Sequence, residues 1–300
     1  MKQRVKDLGK ILKTTSIEWN NKDPFRHSAV IAYYAIFSMP GLLVLIITIT
    51  GYFYGKDVAS QNILRQISNT MGPDTAKQIE EVLASVGRSR STVFASVIGV
   101  IVLLIGSTGV FVELQKSLNQ IWKVETPAKS GILVILKARL FSFGLILAIA
   151  FLLLISLVVS SVLAAMSNWI NIETSSFMTV VFTGAHFILS LIIISVLFAL
   201  MFKILPDAKI KWKHVWLGAL ITGALFTVGK TALAFYFGKA DPGSGYGAAG
   251  SVILILLWTS YSSMIMFFGA EFTASYANFY SAKKTVAKVA VKEHLRRIRK

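Results

Sequence analysis

The sequence contains no cysteine, which excludes disulfides, thiolate metal sites and cysteine nucleophiles. Histidine is scarce as well. His27, His186, His214 and His294 stand in different segments, and none of their spacings suits a metal centre. Charged residues make up only 15% of the chain, against about 25% in soluble domains. Acids are the scarcer sign: 14 Asp+Glu face 31 Lys+Arg, for a net charge of +17. No Walker-type phosphate loop occurs, so an ATP-driven pump in one chain is excluded. No G-x-S-x-G elbow occurs either, and the glycine turn GSGYGAAG at 243–250 lacks the strand–helix setting of a dinucleotide site. These absences point away from an enzyme, a cofactor and a bound metal.

What remains is apolar. Hydrophobic residues are 55% of the chain and the mean hydropathy is +0.66. Six apolar runs, at about 29–54, 93–112, 139–165, 177–202, 215–238 and 249–275, are each long enough to cross about 30 Å of hydrocarbon at about 1.5 Å per residue. The sequence therefore predicts an all-α polytopic membrane protein, with a six-helix membrane domain over 26–277. Residues 1–25 form a cytoplasmic amphipathic segment, in which Val5, Leu8, Ile11, Leu12 and Ile17 recur at helical spacing between lysines. They are not read as a signal peptide, because the run that follows is too long and no small-residue cleavage site closes it. Residues 55–92 are the one long polar insertion and predict a small helical outer cap, with Ile63, Leu64, Ile67 and Met71 on one face and a restart at 72–74. Residues 278–300 are a basic tail.

Basic residues set the orientation. The segments before the first span, at 113–139, at 203–214 and after the last span hold 24 Lys+Arg, while 55–92, 166–176 and 239–248 hold 6. Both termini are thus expected in the cytoplasm of a bacterium, with the chain in its inner membrane. In a soluble protein such a positive charge would suggest nucleic acid. Here anionic lipid headgroups are the expected partner of the basic ends, and no nucleic acid is expected.

Ionisable groups at membrane depth are expensive and mark candidate sites. Lys230 and His186 each fall roughly 6 Å outward of their span midpoints at helical rise. Together with Tyr34, Ser38, Pro40 and Tyr246 they are candidates for a substrate cavity. Pro40 removes a backbone donor near mid-membrane, giving either a packing kink or a broken helix that lines a cavity. Glu271 falls roughly 13 Å inward of its midpoint, too far for a simple pair with Lys230. It belongs instead to an inner-side polar cluster with Glu113, Gln115, Lys116, Asn119 and Arg139, and its expected partners are Lys116, Arg139 or Arg26. Gln115 and Asn119 share a helix face, suited to interhelical adhesion or to a substrate.

Four stretches carry a family resemblance: AYYAIFSMP at 32–40, FVELQKSLNQIW at 111–122, LPDAKIKW at 205–212 with Gly218 and Ala219 after it, and YGAAGS running to Gly269, Ala270 and Glu271. Together they resemble the YihY/BrkB family of bacterial inner-membrane proteins, from about 25 to 277. The resemblance implies six membrane helices. Members have carried the labels "virulence factor BrkB" and "ribonuclease BN"; the nuclease label finds no metal cluster or RNA platform in this sequence. Some relatives are linked to envelope lipid or lipopolysaccharide traffic. Two readings follow: a transporter or flippase-like protein for a small amphipathic or anionic envelope-related substrate, or a non-transporting membrane scaffold or regulator.

Overall fold

A computed structural model describes residues 2–71, 73, 76–77, 79–81, 84, 93–124, 176–208, 210–240, 242 and 244–298, with side chains at a subset of these positions. The third predicted span and Arg139 lie outside the described residues. Among the described residues every regular element is helical: α1 (Lys2–Asn20), α2 (Pro24–Tyr54), α3 (Lys56–Met71), α4 (Val93–Ile121), α5 (Ser176–Ile204), α6 (Trp212–Ala240), a 3₁₀ turn (Ser244–Ala249) and α7 (Gly250–Ile298). Three stretches of them, Phe187–Ile204, Trp212–Ala240 and Val252–Tyr280, are long and apolar enough to cross a membrane.

The breaks between helices have local causes. α1 ends at Asn20, and Asp23 adopts the left-handed region at φ 50° before Pro24 opens α2. Proline disfavours a helical residue before it and suits the first helical position, so the link at 21–23 is a defined corner. α2 then runs unbroken through Pro40 to Tyr54. Gly55, at φ 86°, ends it where a side chain would be strained, and α3 starts at once. α3 packs against α2 and α6, and beyond it Ala76 and Ile79 are buried. α4 continues past its apolar stretch to Ile121, and α7 carries its helix on into the basic tail as far as Ile298.

α7 is the central element, in contact with α1, α2, α4, α6 and the 3₁₀ turn. Its contact with α6 is reciprocal. The chain reads GALIT at 218–222 and GAEFT at 269–273, each a glycine with a threonine one turn on. Thr273 sits over Gly218, and Thr222 sits over Gly269, so the two helices run antiparallel through this contact. A Cβ on either glycine would overlap the facing threonine. Each hydroxyl donates to a carbonyl on its own helix, Thr222 to Gly218 at 2.7 Å and Thr273 to Gly269 at 2.8 Å, so no buried polar group is left open. In hydrocarbon, where lipid tails are as apolar as leucine, such close contact between small residues is what binds helices. Further along, Gly223 meets Ser195 of α5, and Gly229 meets Tyr261 and Ile265.

The largest cluster of buried apolar side chains lies at one end of the bundle. It joins Ile31 of α2, Leu118 of α4, Phe202 of α5, Val215 of α6 and Phe267 of α7. Gly269→Val should overpack the α6–α7 contact and cost about 1–3 kcal/mol. Thermal melting of the purified protein in detergent checks this: a clear fall in Tm is expected, while the same change at Gly238, where nothing lies within 4 Å of a Cβ, should leave Tm nearly unaltered.

Candidate functional site

At the end of the bundle that holds this core, α1, α2, α4 and α7 bring a set of polar side chains together. Glu271 lies two residues past Gly269, about 200° further round α7, so its side chain points away from α6. It is 3% exposed. A carboxylate this buried needs a compensating charge, and Lys22, from the corner between α1 and α2, supplies it with Nζ 2.7 Å from Glu271 Oε2. The same ammonium donates to the Ile121 carbonyl at the end of α4 at 3.4 Å and lies 3.7 Å from Glu18 Oε2.

A second pair stands beside the first. His27 Nδ1 is 2.6 Å from Glu113 Oε1, joining α2 to α4. With the carboxylate ionised, Nδ1 carries the hydrogen and donates. His27 is 4% exposed and its Nε2 has no partner among the described residues. Nearby Ser117 Oγ and Trp19 Nε1 are likewise buried without a partner. These groups, with Lys22 and Glu271, line a pocket of about 10 Å³, room for about one water molecule.

A third contact clamps α4 to the link between α5 and α6. Asn119 Nδ2 donates to Asp207 Oδ2 at 2.9 Å, the Asp207 amide donates to Asn119 Oδ1 at 2.8 Å, and Gln115 Nε2 donates to the same Asp207 oxygen at 3.2 Å. The shared face of Gln115 and Asn119 is therefore used for adhesion to the LPD turn. Lys116 is exposed and takes no part.

The predicted inner-side cluster thus divides into separate contacts. The partner of Glu271 is Lys22, not Lys116 or Arg26, both of which are exposed. The reason is the corner at Asp23, which turns Lys22 inward against α7 while Arg26 on the first turn of α2 faces out. Sequence reasoning missed Lys22 and His27. A weak signal existed: Trp19, Lys22 and His27 break the lysine–apolar rhythm of α1 just ahead of the first span.

The predicted cavity residues stand on α2, α5, α6 and the 3₁₀ turn. Tyr34 packs against Gly109 and Ser38 against Gly106, both in the α2–α4 contact, and Ser38 donates to the Ala35 carbonyl at 3.2 Å. Tyr246 is exposed in the 3₁₀ turn. His186 and Pro40 lie on α5 and α2, and their side chains are outside the described set. Lys230 is half-buried on α6, and no hydrogen bond or ion pair joins it to another described residue. Among the described residues no three His, Asp or Glu stand close enough to hold a metal ion.

Comparison with known proteins places this arrangement in context. The family model for virulence factor BrkB matches residues 16–294. A UPF0761 membrane protein of Saccharophagus degradans is 24% identical over 90% of this chain and 60% of its own length. One from Alkalilimnicola ehrlichii is 22% identical over 87% of this chain and 57% of its own. One from Pasteurella multocida is 30% identical over 66% of this chain and 59% of its own. The chain therefore spans about three fifths of the length of these relatives, at 60%, 57% and 59%. No solved structure matches it.

The Asn119–Asp207 clamp yields a rank order. Asn119→Ala removes two hydrogen bonds and should cost about 1–3 kcal/mol. Asn119→Asp should cost more, because a carboxylate cannot donate to Asp207 and repels it. Melting temperatures should fall in the order wild type, Asn119→Ala, Asn119→Asp; the reverse order for the two variants would show that the clamp is not held by these hydrogen bonds.

Proposed function

The chain belongs to the virulence factor BrkB family of membrane proteins, and we propose that it is a transporter or flippase-like protein for an amphipathic or anionic envelope-related substrate. The observation that carries this reading is Lys230. It lies within an apolar stretch of 29 residues, Trp212–Ala240. From Lys230 to Ala240 is ten residues, roughly 15 Å at helical rise, a long way for a side chain to snorkel. It is half-buried, and no described residue neutralises it. A lone ammonium at such depth costs about 2.5–3.5 kcal/mol on insertion scales and asks for water or an anionic group. A passing anionic headgroup supplies that compensation. On this reading the protein performs no covalent chemistry.

The topology proposed with it has six spans, an outer helical cap over 55–92, and both termini in the cytoplasm of the inner membrane. The excess of basic residues on one set of connections supports it. So does the gathering of the corner at 21–23, the end of α4 and the start of α6 at one end of the bundle, where Trp212 and Trp216 are exposed at a depth suited to an interfacial belt. Single cysteines placed in the cysteine-free chain test it. In intact cells an impermeant thiol reagent should modify Ser68→Cys and spare Ser281→Cys; modification of Ser281→Cys would sink the topology.

Lys230→Met tests the function. If Lys230 meets substrate, the variant keeps its abundance and Tm while the cellular activity falls to background in a complementation assay. If the protein is a scaffold and Lys230 joins helices, Tm changes and activity follows the amount of folded protein. A folded, abundant and fully active variant removes Lys230 from the site and the transport reading with it.

A further inference from the structure

The Lys22 ammonium rests in a cradle of oxygens. Glu271 Oε2 is 2.7 Å away, the Ile121 carbonyl 3.4 Å and Glu18 Oε2 3.7 Å. Each supplies something distinct. Glu271 is a buried full charge. Ile121 is the last residue of α4, so its carbonyl belongs to the negative end of a helix and lacks an intrahelical partner. Glu18 approaches from α1. Two of these oxygens accept hydrogen bonds from the ammonium, and Glu18 adds a second negative charge at ion-pair distance.

The cation in this cradle does not come from the membrane core. Lys22 sits in the corner at 21–23, and α1 packs chiefly against α7. Its docked face is made by Ile11, Thr15 and Trp19, the last against Phe268 of α7, while Leu8, Leu12 and Ile17 are exposed. The turn that carries Lys22 includes Asp23, a non-glycine residue in the left-handed region at φ 50° and ψ 53°. Such a conformation costs about 1 kcal/mol or more and is often kept at functional sites. Behind the cradle, His27 Nε2 and Ser117 Oγ open on the same pocket, buried and without a partner among the described residues. Glu113 is engaged by His27, so the Glu271 charge stays assigned to the cradle. Lys123 lies 3.9 Å from Glu18 but is exposed, with a side chain 73% accessible, and cannot replace Lys22.

We propose that this cradle is a binding site for the primary ammonium group of an amphipathic ligand, such as an aminated lipid headgroup. In this structure the site is filled by the chain's own Lys22, and α1 is the hinged arm that inserts and withdraws it. With α1 docked, the site is self-occupied and closed. When the arm turns at Asp23, Glu271, the Ile121 carbonyl, His27 and Ser117 face the end of the bundle and accept an external ammonium. A quaternary ammonium has no N–H to donate and fits poorly. This site lies on α1, α2, α4 and α7, apart from Lys230 on α6, and stands whether or not Lys230 meets substrate.

The test uses the full-length protein in detergent and two probes, n-butylammonium and tetramethylammonium chloride. Thr15→Cys places a single thiol on the docked face of α1. A tethered group has an effective concentration in the millimolar range, so n-butylammonium at tens of millimolar should displace Lys22 and speed maleimide labelling by about tenfold. Tetramethylammonium or sodium chloride at equal ionic strength should not. In Lys22→Ala the cradle is vacated, and n-butylammonium should raise Tm while tetramethylammonium does not; Lys22→Ala/Glu271→Gln should lose that gain. Labelling that responds equally to all three salts overturns the proposal. So does a Tm gain in Lys22→Ala without faster labelling in the Lys22 chain, which would make the cradle only an internal tether. If Lys22→Ala does not fold, the labelling arm decides alone.

Discussion

The close approach of α6 and α7 is the constraint on which the rest of the structure depends. Two five-residue segments with the same pattern, GALIT and GAEFT, pack head to tail, glycine under threonine. The contact is self-complementary, so it fixes direction and register together: a slip by one residue would set threonine against alanine or a larger side chain. Because both hydroxyls are satisfied within their own helices, the contact holds without a hydrogen bond between helices. That matters in hydrocarbon, where packing rather than water exclusion joins helices.

Once α7 is held this way, the direction of Glu271 is no longer free. Gly269 and Thr273 face α6, so the residue midway between them must face the opposite side, toward α1 and α4. A buried carboxylate there demands a cation, and the corner at Asn21–Lys22–Asp23 delivers one from a residue 249 positions earlier in the chain. The same end of the bundle carries the His27–Glu113 pair and the Asn119–Asp207 clamp. Three polar contacts thus tie the α1–α2 corner to α7, α2 to α4, and α4 to the LPD turn, in a region whose apolar core already gathers Leu118, Phe202 and Phe267.

Much of the helical plan was legible in the sequence, and the reason is period and length. Of the predicted spans, 177–202 and 215–238 lie inside α5 and α6 with only a few residues more at each end, and the helical start of the chain was visible in Ile11 and its neighbours. The run 249–275 likewise opens α7. The pairings were not legible. Hydrophobic spacing tells which face of a helix is apolar, but not which distant residue meets it. Depth reasoning set Glu271 at the inner side and set it apart from Lys230; it offered Lys116, Arg139 or Arg26 as partners and passed over Lys22, which the structure pairs with it. The choice is made by a backbone corner, Asp23 before Pro24, which the sequence marks locally but whose direction against α7 it does not give. The apolar residues of α1 divide in the structure into Ile11, which is buried, and Leu8, Leu12 and Ile17, left outside.

Lys22 and Lys230 show how the same side chain takes opposite settings in one fold. Lys22 comes from a polar corner and is drawn into a cradle of oxygens, so its charge is spent locally and α1 is held. Lys230 comes from the middle of an apolar helix, close to Gly229, where α6 again meets α7 through Tyr261 and Ile265. Glycine at 229 lets the helices approach but offers no carboxylate, and the described residues supply Lys230 with none. A chain with 31 basic and 14 acidic residues cannot pair every cation. Where the few acids are placed therefore decides which cations are structural and which stay open to another partner. Glu18, Glu113, Asp207 and Glu271 all stand at the end of the bundle that holds Lys22, and among the described residues none of them reaches Lys230 on the apolar stretch of α6.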